Sequence, residues 1–278
     1  MIYRLYIEMI IIKLILAIIA PVSGGRDLFI GLFGAIIGAI VSFILSLLFY
    51  CIQNRFRRRQ YAKEVDLLTT AILKHSNECY NAINTYCGNI NQNPHQVQVL
   101  QQGILSSIKR IQRLDATVVY EAFEYKKKSD VFYSYLNLID QLYQLYESVY
   151  YDYEKHNDNI VQMSNELIDI QGKIIYGIQS APNTEDTQNV MEQYSEVCKS
   201  CGKNSVIDIK IINDKLISPL HEIVNKDLSI KPLFMYIDKA EYLYRTICQH
   251  QINFSNHLCE NVLPQINKTL KQIKKLTI

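Results

Sequence analysis

The chain contains no tryptophan, and only 10 Gly and six Pro are spread over 278 residues. So few breakers leave room for long helices and argue against a β-rich fold with its many turns. The seven Cys are an odd number without a regular framework, which excludes a disulfide scaffold as the expected design. Patterns of the type G-x-x-x-x-G-K-S/T, G-x-S-x-G, H-E-x-x-H and G-x-G-x-x-G are absent, so the common nucleotide, hydrolase and protease sites lack a sequence basis. Charge of either sign is missing from Leu28 to Cys51, LFIGLFGAIIGAIVSFILSLLFYC.

That uncharged stretch organises the rest of the reading. Its 24 residues, at ~1.5 Å per helical residue, reach about 36 Å, enough to cross a hydrocarbon core of roughly 30 Å with some tilt. Residues 1–20 form a second hydrophobic segment, joined to the first by Pro21–Asp27, and a helical hairpin is expected, with helices at about 2–20 and 28–52. Arg4 and Glu8 lie one turn apart and can pair, whereas Lys13 stands alone among aliphatics. A cation near a bilayer centre costs about 2.5–3.5 kcal/mol, so Lys13 needs water, a partner or a route to the headgroups. A first helix lying at the membrane surface satisfies it; a polar seam formed by several copies, with Glu8 nearby, is the alternative.

Residues 1–63 carry eight Lys/Arg against two acidic groups, and residues 64–278 carry 21 against 25. The basic excess thus sits beside the hydrophobic segments, and the mildly acidic remainder argues against nucleic acid as a partner. Arg55, Arg57, Arg58 and Arg59 follow the apolar stretch at once, against Arg26 alone in the turn. By the positive-inside rule both chain ends face the cytoplasm, and the arginines contact anionic headgroups.

The remainder, 53–278, reads as a cytoplasmic helical bundle. Val65, Leu68, Ile72, His75, Cys79, Ala82 and Tyr86 continue the helix as an amphipathic stripe, and Asn89 to Pro94 reads as a turn. Val97, Leu100, Ile104, Ile108, Ile111, Leu114 and Val118 predict one further helix, closed by Lys126-Lys127-Lys128, with Ser129 or Asp130 as the next N-cap. Seven heptads then place Phe132, Ile139, Tyr146, Tyr153, Ile160, Leu167 and Ile174 at one seam position, beside Tyr135, Leu142, Val149, His156, Met163, Ile170 and Gly177. This predicts a coiled-coil-like helix about 70 Å long, its tyrosine hydroxyls reaching solvent at the edges. A break at Ser180–Asp186, a helix to Cys201, a helix kinked at Pro219, and a last helix from Ser229 continuing past Pro264 complete a long antiparallel bundle.

Few residues suggest a site. Gly31, Gly34, Ala35, Gly38, Ser42 and Ser46 form a small-residue stripe of the kind that lets membrane helices approach closely, so homo-oligomerisation is expected. Cys198 and Cys201 form a CxxC pair, but zinc takes four N/S ligands and no second pair exists. On one helix Cys248 and Cys259 face away from His250 and His257, so neither a metal nor another cofactor is expected. His75 and His156 fall on apolar seams, where a hydrogen-bonded histidine setting register is the expectation. The sequons at Asn253 and Asn267 bear on the chain only if the orientation is reversed.

The sequence therefore predicts an all-α protein: a membrane hairpin followed by a coiled-coil-like bundle. Its expected role is non-enzymatic, anchoring in the lipid bilayer and engaging a cytoplasmic protein partner or sensing a signal. A small pore-forming or membrane-disrupting effector, held in check by its helical domain, is the alternative.

Overall fold

The computed structural model describes residues 25–100, 106–181, 184–200 and 208–277. The first expected membrane helix, with Glu8 and Lys13, lies outside the described residues, as do Cys201 and Gly202. Within them the chain is all-helical, with no strand. It divides into two compact units, one holding the chain up to Glu64 together with Asp115–Ser129, the other Val65–Leu114 and Asp130–Ile278.

In the first unit, the leading part of α1 (Gly25–Gln92) is accompanied by α3 (Ala116–Tyr125). Val119, Ala122 and Phe123 of α3 and Ala62 of α1 are buried. The carboxylate of Asp115 accepts a 2.8 Å bond from the Thr117 amide and caps α3. That cap corrects the expected single helix over Val97–Val118. Residues 97–100 are not helical, α2 covers Ser106–Arg113, and the chain breaks at Leu114 and Asp115 before α3 begins. Once the Asp115 side chain satisfies an amide at the end of a turn, the preceding helix gains nothing by running through it.

Helix α3 stops in a Schellman arrangement: the Lys128 amide bonds the Phe123 carbonyl at 2.9 Å and the Lys127 amide bonds the Glu124 carbonyl at 2.9 Å. Lys127 occupies the left-handed position, φ 58°. A short 3-10 turn, Ser129–Val131, then leads into α4 (Phe132–Ser180), whose N-cap is Val131 with no side-chain bond. Neither Ser129 nor Asp130 performs the expected capping.

The second unit is built on α4. All seven residues of the first seam position, Phe132 through Ile174, are buried, as are Tyr135, Leu142, Val149 and Ile170 of its companion. Each fully buried aliphatic side chain contributes roughly 1.5–3 kcal/mol relative to exposure. Tyr135 meets Thr69, Tyr146 meets Ser76 and Tyr153 meets Tyr86, so α4 runs parallel to this part of α1. The expectation of a wholly antiparallel bundle is corrected here. The connection over residues 93–131 is long enough to return the chain before α4 starts, which is what parallel neighbours require.

Helix α8 (Phe234–His257) packs antiparallel to α4: Leu233, just before its start, lies at Gly177, Lys239 pairs with Glu166, and Phe254 stacks on His156. It is antiparallel to α1 as well, since Ser255 bonds the Cys87 carbonyl at 3.2 Å and Gln251 bonds the Pro94 carbonyl at 2.7 Å. Beyond the break at Ala181, α5 (Glu185–Ser200), α6 (Ile209–Ile212) and α7 (Ser218–Ile223) close a second apolar cluster. There Tyr194, Ile212, Leu216 and Leu220 meet Leu167, Ile174 and Ile237.

Two π-turns shape the C-terminal third. Asn213–Ile217 ends with the Ser218 amide bonded to the Asn213 carbonyl, and Leu258–Val262 ends with the Leu263 amide bonded to the Leu258 carbonyl. Each ends one residue short of a proline, with Ser218 before Pro219 and Leu263 before Pro264. A helical proline lacks an amide and pushes against the carbonyl four residues back, and one widened turn relieves both problems. The expected kink at Pro219 is therefore a π-turn, and the last helix is split into α8 and α9 (Leu263–Thr277) by another.

Candidate functional site

The feature with the clearest physical demand is the leading part of α1. Among the described residues it is the one helix long and apolar enough to cross a membrane, and none of its apolar window is buried. Phe29, Phe33, Ile37, Ile40, Ile44, Leu48 and Phe49 are all exposed, Phe49 by 71 %. Gly31, Gly34, Ala35, Gly38, Ser42 and Ser46 are exposed too. A Cβ added at Gly31, Gly34 or Gly38 would meet nothing within 4 Å. Ser46 satisfies its hydroxyl by donating 2.8 Å to the Ser42 carbonyl one turn back, which is how a helix keeps a serine without water.

At the basic end the four arginines divide. Arg57 lies 3.4 Å from Glu121 and donates to the Asn54 side-chain oxygen at 3.0 Å, while Arg58 lies 3.1 Å from Glu124. These two pairs tie α3 to α1 within the first unit. Arg55 and Arg59 are exposed. The composition of the stretch announced four equivalent cations; the structure gives two of them a bracing role. Sequence reading also missed that Lys126, Lys127 and Lys128, which it took for an interruption, belong to the same compact unit as the arginines. The signal available was the spacing of Glu121 and Glu124, one turn apart on a short helix ahead of the lysines.

Inside the second unit, polar side chains serve the helix interfaces. The Thr69 hydroxyl donates 2.7 Å to the Val65 carbonyl, which leaves its oxygen to accept from Tyr135 at 2.7 Å. Tyr146 donates 2.6 Å to the Ser76 carbonyl. Both phenols are buried, so the expectation that seam hydroxyls reach solvent is corrected: each finds its partner on α1. His156 is not held by a hydrogen bond at Nε2, which is buried without a partner. Its ring stacks on Phe254 at 4.3 Å between centroids, with planes 14° apart. Burial, together with the nearby His250, lowers its pKa from 6.5 to about 4 and keeps it neutral. His75 likewise leaves a buried Nδ1 without a partner.

Three of the thiols, Cys79, Cys87 and Cys248, are held in the uncharged form by burial. Burial pushes Cys87 up to about 12, with Cys259 and Ser255 as hydrogen-bonding neighbours, and burial raises Cys79 and Cys248 as well. Since the thiolate is the nucleophile and the metal ligand, this setting disfavours both uses. Cys198 packs against the second apolar cluster. Cys248 and Cys259 are partly buried, whereas His250 and His257 are exposed on the other side. Among the described residues no group of three or more His, Cys, Asp or Glu is placed to hold a metal ion.

Comparison with protein-family models, with curated proteins and with solved structures finds no match to this chain.

Proposed function

We propose that the protein is a non-enzymatic membrane anchor whose helical domain engages a protein partner or senses a signal on the cytoplasmic side. The observation that carries this reading is the uncharged run from Leu28 to Cys51, whose apolar window has no buried residue and which leads directly into four arginines. A contiguous apolar surface of that length is unstable in water and is matched to a bilayer in both length and chemistry. With residues 1–20 it forms a hairpin, the arginines hold its C-terminal end on the cytoplasmic face, and the small-residue stripe packs against another membrane helix, from the same chain or a second copy.

The heptads of α4 supply coiled-coil-like packing, a rigid rather than catalytic design. Exposed Tyr133, Tyr151, Tyr176, Tyr242, Leu228 and Met235 on the second unit offer the aromatic and aliphatic contacts that protein interfaces favour. The test is extraction of membranes from cells expressing the full chain. Retention in the pellet after alkaline carbonate, with release only by detergent, supports the anchor; recovery in the carbonate supernatant refutes it.

A further inference from the structure

We infer that the turn formed by Lys126, Lys127 and Lys128 is a second contact with anionic lipid headgroups, acting beside Arg55 and Arg59; the inference rests on the membrane-anchored reading above. The first observation is placement. The lysines follow Glu124, the carboxylate that binds Arg58, and the whole segment Asp115–Ser129 belongs to the compact unit that contains the apolar run. Two ion pairs, Arg57 to Glu121 and Arg58 to Glu124, hold that segment to the helix at the end of its apolar stretch. The geometry thus fixes a lysine-bearing turn to a membrane-proximal part of α1, instead of leaving it on a free loop.

The second observation is conformational. Lys127 takes the left-handed position of the Schellman turn, φ 58°, where glycine is the ordinary occupant because a Cβ is strained. A cation favours a helix C-terminus, and Lys126 at the C-cap already places one there. Lys127 is exposed, so its charge is presented outward at the point where the backbone would be better served by glycine.

The third observation is charge. Between Gln53 and Glu64, and across Asp115–Ser129, the sequence holds eight Lys/Arg and four Asp/Glu, a net positive charge. An anionic surface draws such a unit by about 1 kcal/mol per cation near it, about fivefold each. Tyr125, 37 % exposed and adjacent to the lysines, is the amphipathic residue type that settles at headgroup level.

The absence of tryptophan gives a clean probe. The full-length Tyr125→Trp protein is reconstituted into phosphatidylcholine vesicles carrying a brominated lipid, with and without phosphatidylserine. The inference predicts a blue-shifted, quenched emission that phosphatidylserine strengthens and that about 1 M salt, with a Debye length near 3 Å, reverses. Lys126→Gln/Lys127→Gln/Lys128→Gln in the same background removes the phosphatidylserine effect. Lys127→Gly weakens it by about fivefold in the docked-to-undocked ratio while leaving Tm unchanged or higher, which separates lipid contact from folding. Quenching that is equal with and without phosphatidylserine overturns the inference, as does a triple-glutamine variant that behaves like its parent. Both results leave the anchor intact provided the protein floats with the vesicles; failure to float overturns anchor and inference together.

Discussion

The hydroxyl of Tyr146 donates a 2.6 Å hydrogen bond to the carbonyl of Ser76, joining α4 to α1 through a fully buried phenol. Tyr135 bonds the Thr69 hydroxyl three turns nearer the start of α4. Together with the edge-on contact of Tyr153 and Tyr86, these bonds fix the register of two parallel helices.

Tyr146→Phe keeps the ring and deletes the bond. The expected loss is about 1 kcal/mol of unfolding free energy, measured by urea denaturation of the full chain in detergent. Tyr133→Phe, at a position 75 % exposed, is the control and leaves stability unchanged. Equal behaviour of the two variants would remove the register role assigned to Tyr146.

Gly177 and Gly172 lie on the same helix with opposite surroundings. A Cβ at Gly177 would overlap the Leu233 side chain, while one at Gly172 meets nothing within 4 Å. Gly177→Leu is expected to cost about 1–3 kcal/mol through overpacking. Gly172→Ala is expected to stabilise by about 0.5–1 kcal/mol through helix propensity. Thermal melts followed by circular dichroism read both signs.

His156 makes the fold sensitive to mild acid. Its folded-state pKa is about 4 against an ordinary 6.5, so the unfolded chain takes up the proton first as pH falls. The stability tied to the neutral ring is fully present above pH 6.5 and is lost progressively down to about pH 4. The Tm of the parent should fall through this window more steeply than that of His156→Phe. Parallel curves for the two proteins would show that the ring does not titrate as its burial requires.

The all-helical class and the buried seam of α4 were legible because both follow from one-dimensional pattern: few breakers, and apolar residues every three to four positions from Phe132 to Ile174. What was not legible depended on partners distant in the chain. Nothing local to α4 says that Tyr135 and Tyr146 bond Thr69 and Ser76, so their hydroxyls were assigned to solvent and the helix pair to an antiparallel arrangement. Periodicity through Leu114 and Val118 hid a competition that Asp115 wins by capping α3. Pro219 and Pro264 marked where the helices are disturbed, but a kink and a π-turn look alike in sequence. On the site, the apolar run and its arginines were plain from composition. The bracing of Arg57 and Arg58 by Glu121 and Glu124 was not, because it pairs residues more than sixty positions apart.

Gly38→Leu fills the centre of the small-residue stripe. If that stripe seats a helix from a second copy, the substitution weakens self-association in a membrane two-hybrid assay by roughly 1 kcal/mol or more, about fivefold. Unchanged association would assign the stripe to contacts within one chain or to none.

The central claim, that the apolar run of α1 resides within lipid, is tested most directly at its midpoint. Ile40→Trp is the sole tryptophan of the full-length chain, at an exposed position outside the small-residue stripe. In vesicles carrying lipids brominated at graded depths, its emission should be quenched most strongly by bromines near the bilayer centre and be indifferent to aqueous iodide. Quenching by iodide, with no dependence on bromine depth, would contradict the account.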